Sequence, residues 1–291
     1  MENKSLKQLK SLFLVITLLV STADSYAQQC KGDKLATAKS TKSAKVTYVY
    51  SNTPGFIIKD KNGKMKGLLV DVMKEFEAYV KEKKGIILTS KYDAIPKDDF
   101  NVLLKKVKAA SGGVFGLSNI TITKERKKSY LFSPSYISNV SVLISHESVP
   151  TLKNLSELST TFKDKTAHII EGSTHEIWTN SLKKHYPELK ISFLPSETDI
   201  LKKVATDKNA FSRVDFIYYL AALQNKQPIK RHAVGDSESE ELGVLMPKSN
   251  DWAPLLTEFF NAGFVGSTKY RKIISDNLGQ NALVLLDSLT K

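Results

Sequence analysis

Two hydrophobic periods alternate along this chain from Val46 onward, and that alternation limits the fold more than any other feature. Val46, Tyr48 and Tyr50 alternate with smaller residues, as in a half-buried strand. Leu69, Val72, Met73, Phe76 and Val80 then fall on one face at helical spacing, and Gly85 ends the helix. Ile86–Leu88 reads as a short strand, Phe100, Leu103, Leu104 and Val107 as a second amphipathic helix, and Gly112–Gly116 as extended chain. Asn52–Gly55 and Lys61–Lys64 carry turn chemistry, the latter that of a hairpin. A β-α-β-α-β order implies an α/β protein with a parallel sheet covered by helices, whose ligands sit at the carboxyl ends of the strands.

The middle of the chain repeats the plan. Thr166–Ile170 is a strand, Glu171-Gly172-Ser173-Thr174 a loop of small residues, and Ile177, Trp178 and Leu182 the apolar face of a helix. A strand over Ile191–Leu194, a helix with Ile200, Leu201 and Val204, and a strand over Val214–Tyr219 follow. The tail reads as helices around Trp252–Phe260, Tyr270–Ile274 and Leu283–Leu289, the last placed either on a core or against a partner. Two βα units of similar size suggest two lobes.

Ahead of this pattern, Lys4, Lys7 and Lys10 lead into an apolar run from Leu12 to Val20, and Ser25-Tyr26-Ala27 places small residues at the −3 and −1 positions. That order reads as a signal peptide over 1–27, cleaved near Ala27. A membrane span would need about 20 apolar residues. Residues 28–45, rich in Lys, Ser, Thr and Ala, read as a basic flexible tether. The single cysteine, Cys30, excludes an intramolecular disulfide, and the preceding Gln28 and Gln29 argue against lipid anchoring there.

The formal net charge of +13 comes mostly from dispersed lysines, without interleaved aromatics or a reading module, so nucleic acid is not an expected partner. His146, His168, His175, His185 and His232 show no ligand spacing with acids or Cys30, and no metal site or cofactor is expected. His175, just after a helix start, reads as a helix-surface residue.

The segment Ser118-Asn119-Ile120-Thr121-Ile122-Thr123-Lys124-Glu125-Arg126, followed by Phe132-Ser133-Pro134-Ser135-Tyr136, resembles the "T-x-T-x-E-R…F-S-x-x-Y" stretch of periplasmic solute-binding proteins of the amino-acid-binding type, which serve ABC importers. Lys59–Lys64 with Gly67 and Asp71, Glu171–Thr174, and Gly266–Tyr270 resemble three further landmarks of that family, in the right order. The resemblance runs from about Val46 to Gly279 and implies a two-lobed fold with a discontinuous first lobe. Lobe 1 would comprise 46–142 and 244–291, and lobe 2 residues 143–243. It further implies a non-enzymatic periplasmic protein that closes over a small carboxylate-bearing ligand and delivers it to an inner-membrane ABC permease.

Ser118, Asn119, Thr121 and Arg126 match the positions that grip the ligand's carboxylate in such proteins, and a guanidinium suits that task by its planar bidentate geometry. Ser173 and Thr174, behind a glycine and before a helix, serve equally as cap and as anion contacts. Thr53 stands where the family has an aromatic wall, Phe56 keeps the phenylalanine of that turn, and Phe100 is the candidate for the opposite wall. The usual aspartate before Ser118 is missing from Gly112–Gly116. The aspartate that pairs with an α-ammonium, placed about five residues after Arg213-Val214-Asp215, falls on Tyr219-Leu220-Ala221. Either Glu171 takes its role or the ligand has no α-ammonium, while Tyr218 and Tyr219 suit an apolar or ring portion. Two rivals stay open: a cleft enzyme of the prephenate-dehydratase type on the same fold, and a stand-alone ligand sensor.

Overall fold

A computed structural model describes residues 30–280 and 282–284. The signal-peptide reading of 1–27 and all but the start of Leu283–Leu289 lie outside the described residues.

Two mixed five-stranded sheets form the frame. The first runs, in spatial order, Ile87–Ala94, Ser43–Tyr50, Val114–Leu117, Leu245–Pro247 and Tyr130–Phe132. Its first three strands are parallel, with Tyr48 opposite both Tyr92 and Phe115, while Leu245–Pro247 is antiparallel to both neighbours. The second runs Lys190–Phe193, Thr166–Ile169, Ala210–Asp215, Ser141–His146 and Ile229–His232. Again three strands are parallel, and Ser141–His146 runs against both neighbours. The chain leaves the first sheet through Ile137–Asn139 and returns through Glu240–Leu242, and these two segments pair antiparallel between the sheets. The sequence accounts for the parallel strands of the first sheet and for two of the three in the second, and each sheet adds an antiparallel return.

The helix Leu68–Lys84 buries Leu69, Val72, Met73, Phe76 and Val80, the five residues of its apolar stripe. Phe76 meets Phe115 edge-on at 6.1 Å and Phe259 at 5.7 Å, joining this helix to the sheet and to the helix Ala253–Phe259. Each such buried side chain contributes roughly 1.5–3 kcal/mol. Gly67 makes the entry possible: its φ is 124°, and a Cβ there would lie 2.3 Å from the Phe56 carbonyl oxygen. The hairpin pairs Ile58–Lys59 with Met65–Lys66, its turn held by Asp60 accepting from the Asn62 and Lys64 N–H groups. In the second lobe, apolar clusters lie around Val142, Ile200 and Val214, and around Phe162, Leu182 and Phe211.

Two expectations change. The segment expected as a flexible tether is ordered over its described residues: Leu35–Thr41 is helical with Ala38 buried, and the first strand already begins at Ser43. Asp251, some 216 residues away, caps this helix by accepting from the Leu35 and Ala36 N–H groups at 2.9 and 3.0 Å. Trp252 Nε1 donates to the Asp33 carbonyl at 2.8 Å. Composition cannot show a cap supplied from the other end of the chain. The second change is the strand expected over Val214–Tyr219. It ends at Asp215, and Phe216–Gln224 is helical. The Phe-Ile-Tyr-Tyr run favours strands intrinsically, but buried helix packing overrides that preference, with Tyr218 and Ala222 facing the core.

Candidate functional site

All six parallel strands point their carboxyl ends at one cleft. In the first sheet Tyr50 leads to Ser51 and Asn52, Ala94 to Asp98 and Phe100, and Leu117 to Ser118 and Asn119. In the second, Ile169 leads to Ile170, Ser173 and His175, Phe193 to Ser196 and Glu197, and the third strand ends on Asp215 itself. Parallel strands make their following loops converge, so a site forms where two such sheets face each other.

Arg126 sits in the short helix Lys124–Ser129, capped by Thr123, whose Oγ1 accepts from the Arg126 N–H. Its guanidinium donates to the Thr121 carbonyl at 2.9 Å and to the Gly172 carbonyl across the cleft at 3.4 Å. It lies over the Phe100 ring, 5.1 Å from the centroid. No ion pair joins it to a carboxylate among the described residues. Burial works against its charge, and Asp215 and Glu240 partly offset this from a distance. Opposite, Ser173 caps the helix Thr174–Ser181, accepting from the Glu176 N–H, while Glu176 turns back to accept from the Gly172 N–H at 2.7 Å.

Deeper in the cleft lie His175, Glu197 and Asp215, each almost fully buried. His175 Nε2 is 3.2 Å from Asp215 Oδ1, and Nδ1 is 3.6 Å from Glu197 Oε1. Asp215 also accepts from Asn119 Nδ2 at 2.5 Å and Asn139 Nδ2 at 2.9 Å. Burial alone raises the Asp215 carboxyl, but the hydrogen bond and charge of His175, with Asn119 and Asn139, hold it below its ordinary value. Burial drives Glu197 well above the usual carboxylate range, and Asp215 and Glu240 push the same way. Ligand atoms of these three residues lie within 4.8 Å of one another, a grouping able to hold a metal. The imidazole turns one nitrogen to each acid, however, which is the geometry of a bridge between acids rather than of three donors around one centre.

Of the residues expected at the site, Phe100, Ser118, Asn119, Thr121, Arg126, Ser173 and Thr174 line the cleft together. Four do not. Thr53 is buried behind it, its Oγ1 3.0 Å from Ser118 Oγ. Phe56 packs edge-on to Tyr136 in the core, with centroids 6.2 Å apart. Glu171 is exposed, and only its carbonyl is engaged, by Asn101 Nδ2 at 3.0 Å. Tyr219 turns towards Phe216, and its neighbour Tyr218 lines the cleft instead. His175 is a cleft residue and not a helix-surface one.

No acid stands near Leu220; the acids that line the inner cleft are Glu197 and Asp215. Arg213-Val214-Asp215 lies at the end of its strand, not at the start, so the expected position falls in the helix Phe216–Gln224. Glu197 left a weaker trace: Ser196 caps the helix Glu197–Thr206, an S-x-x-D start that marks a loop after a strand but not which side chain turns inward.

The model of the bacterial extracellular solute-binding proteins, family 3, matches residues 46–264, more than half of the chain. The chain belongs to this family. Among solved structures, the P235GK mutant of the arginine-binding protein ArgBP from T. maritima shares the fold at 21% identity and a TM-score of 0.65, over 84% of this chain and 99% of that one. ArtJ of Geobacillus stearothermophilus, which binds arginine, lysine and histidine, aligns at 20% identity and a TM-score of 0.64, over 81% and 96%. An ABC uptake substrate-binding protein from Streptococcus pneumoniae, with bound histidine, aligns at 19% identity and a TM-score of 0.66, over 86% and 98%. No curated protein sequence gives a match. Among the described residues no helix is long and apolar enough to cross a membrane.

Proposed function

We propose that this protein captures a small carboxylate-bearing solute, an amino acid or a close relative, between its two lobes and delivers it from the periplasm to an ABC permease in the inner membrane, without chemical change. The observation that carries the reading is Arg126: a guanidinium held in the cleft, over an aromatic ring, with no carboxylate of the described residues to neutralise it. A half-buried guanidinium without a counter-charge is costly, and a ligand carboxylate removes that cost with two parallel hydrogen bonds. Ser173, Thr174 and the amino end of their helix face the same space and favour the same charge. The amino acids bound by ArtJ and by the Streptococcus pneumoniae protein are of this class.

The contacts that cross the cleft describe the closing surface. Arg126 reaches the Gly172 carbonyl, Asn101 the Glu171 carbonyl, and the Phe100 N–H the Pro195 carbonyl at 3.3 Å. A ligand that touches both sides stabilises the closed arrangement by its differential affinity.

A thermal-shift screen of the purified protein against amino acids, short peptides, dicarboxylates and cyclic acids tests the reading. A ligand at 100 times its Kd adds about 2.7 kcal/mol of stability. Arg126→Ala is expected to abolish the shift for every carboxylate while the protein remains folded, and the ligand is expected back intact by mass spectrometry. An unchanged shift in Arg126→Ala removes Arg126 from the site, and a consumed ligand moves the protein to the enzymes.

A further inference from the structure

The two buried acids of the cleft differ in what they have left to offer. A carboxylate accepts about four hydrogen bonds. Asp215 already faces four donors: Asn119 Nδ2, Asn139 Nδ2, His175 Nε2 and, at 3.4 Å, Ser141 Oγ. An ammonium ion arriving there would have to displace one of them. Glu197 is engaged by His175, the Asn119 amide and the Asp215 N–H, yet keeps one oxygen unused. It is 6% exposed, and its Oε2 is buried without any hydrogen-bond partner among the described residues. It lines the same cleft as Arg126. An orphaned buried carboxyl oxygen calls for a partner that the protein itself does not supply.

We propose that Glu197, rather than Asp215, receives the amino group of the ligand, and that Asp215 is a positioning residue that holds Asn119 and His175 around it. The inference rests on the reading that Arg126 takes the ligand's carboxylate. One cleft then presents a cation and an acid with an unpartnered oxygen, and the matching chemical class is a zwitterion with a primary amine. The titratable and charged groups facing Glu197 are His175 from the helix after Ile170, Asp215 from its strand end, Glu240 from the returning segment and Tyr218 from the helix Phe216–Gln224. Burial keeps Tyr218 protonated. A cation beside Glu197 relieves its repulsion with Asp215 and Glu240. Because burial and those neighbours favour the protonated acid, an incoming ammonium ion converts Glu197 to the carboxylate and expels its proton to solvent.

Isothermal titration calorimetry with each common L-amino acid and its 2-hydroxy-acid counterpart, in two buffers of different ionisation enthalpy, tests this on the purified protein. The expected result is an amino acid that binds at least tenfold more tightly than its hydroxy-acid counterpart and releases a proton on binding. Glu197→Gln is expected to shrink that preference at least tenfold and to abolish the proton release. Asp215→Asn is expected to weaken both members of the pair by similar factors. The proposal is overturned if no amino acid binds, if Asp215→Asn alone erases the preference, or if Glu197→Gln keeps it. Arg126→Ala separates the two readings: loss of both members in that variant supports the carboxylate site whatever Glu197 does.

Discussion

The side-chain amide of Asn119, at the carboxyl end of a strand in the first sheet, donates to the carboxylate of Asp215, at the carboxyl end of a strand in the second. The two residues are 96 positions apart, and their bond spans the cleft. A hydrogen bond to an ionised group is worth about 1.5–3 kcal/mol. If the lobes close on ligand as proposed, this bond biases them towards closure before any ligand enters.

Replacing that donor with an acid reverses the bias. Asn119→Asp sets two carboxylates against each other in a buried place, where one must take up a proton or the lobes must part. The unliganded variant is expected to be more open, with a larger radius of gyration by small-angle X-ray scattering, and to bind ligand at least tenfold more weakly. An unchanged scattering profile would show that the contact does not hold the cleft closed.

His232 gives the second lobe an acid-sensitive core. Its Nδ1 accepts from the Leu152 N–H at 2.9 Å, so Nε2 carries the proton towards Ser145 Oγ at 2.7 Å, and the ring meets Phe162 edge-on. Burial, with Lys230 adding to it, lowers its pKa from 6.5 to about 4. Between those values the unfolded chain binds the proton and the folded one does not, so stability falls as pH falls through this window. Relative to pH 8, the loss at pH 5 is roughly 2 kcal/mol. Glu197, raised in the folded protein, acts in the opposite sense above its ordinary value. Urea denaturation of wild type and His232→Asn across pH 5–8 isolates the histidine: the variant, whose amide oxygen can still accept from Leu152, is expected to show the shallower loss.

Asp251→Ala removes the cap of the helix Leu35–Thr41. A lost cap costs about 1 kcal/mol. Amide exchange over 35–41 is expected to quicken at least severalfold while the first sheet stays protected. Equal exchange in the two proteins would mean that Trp252 and Asp33 suffice to dock the segment.

Gly67→Ala forces a Cβ against the Phe56 carbonyl and a side chain into a left-handed backbone. The expected loss is at least about 2 kcal/mol by chemical denaturation. A loss below about 0.5 kcal/mol would show that the turn before Leu68 yields to the new atom.

Much of the frame was legible because it rests on local periods. The stripe from Leu69 to Val80, the stop at Gly85, the hairpin turn and the cap at Ser173 each depend on residues within one element or its ends. That Ser118, Asn119, Thr121 and Arg126 share one cleft was legible too, since they stand close together in one loop and one helix start. The acidic side was not. Asp215 closes a strand whose strand-like composition runs on to Tyr219, because Phe216–Tyr219 has the composition of a strand and the fold of a helix.

The sequence alone determined an α/β protein with helices over parallel strands, since hydrophobic period is a property of neighbouring residues. Only the tertiary structure decided which side chains share the cleft. His175, Glu197 and Asp215 follow three strands that are separate in the chain and adjacent in the sheet, so parallel pairing brings their ends together. Whether each acid is saturated or free depends on donors from the opposite lobe, and no local pattern carries that information. Asn119 helps to satisfy Asp215 from across the cleft, and Glu197 Oε2 is left without a partner among the described residues.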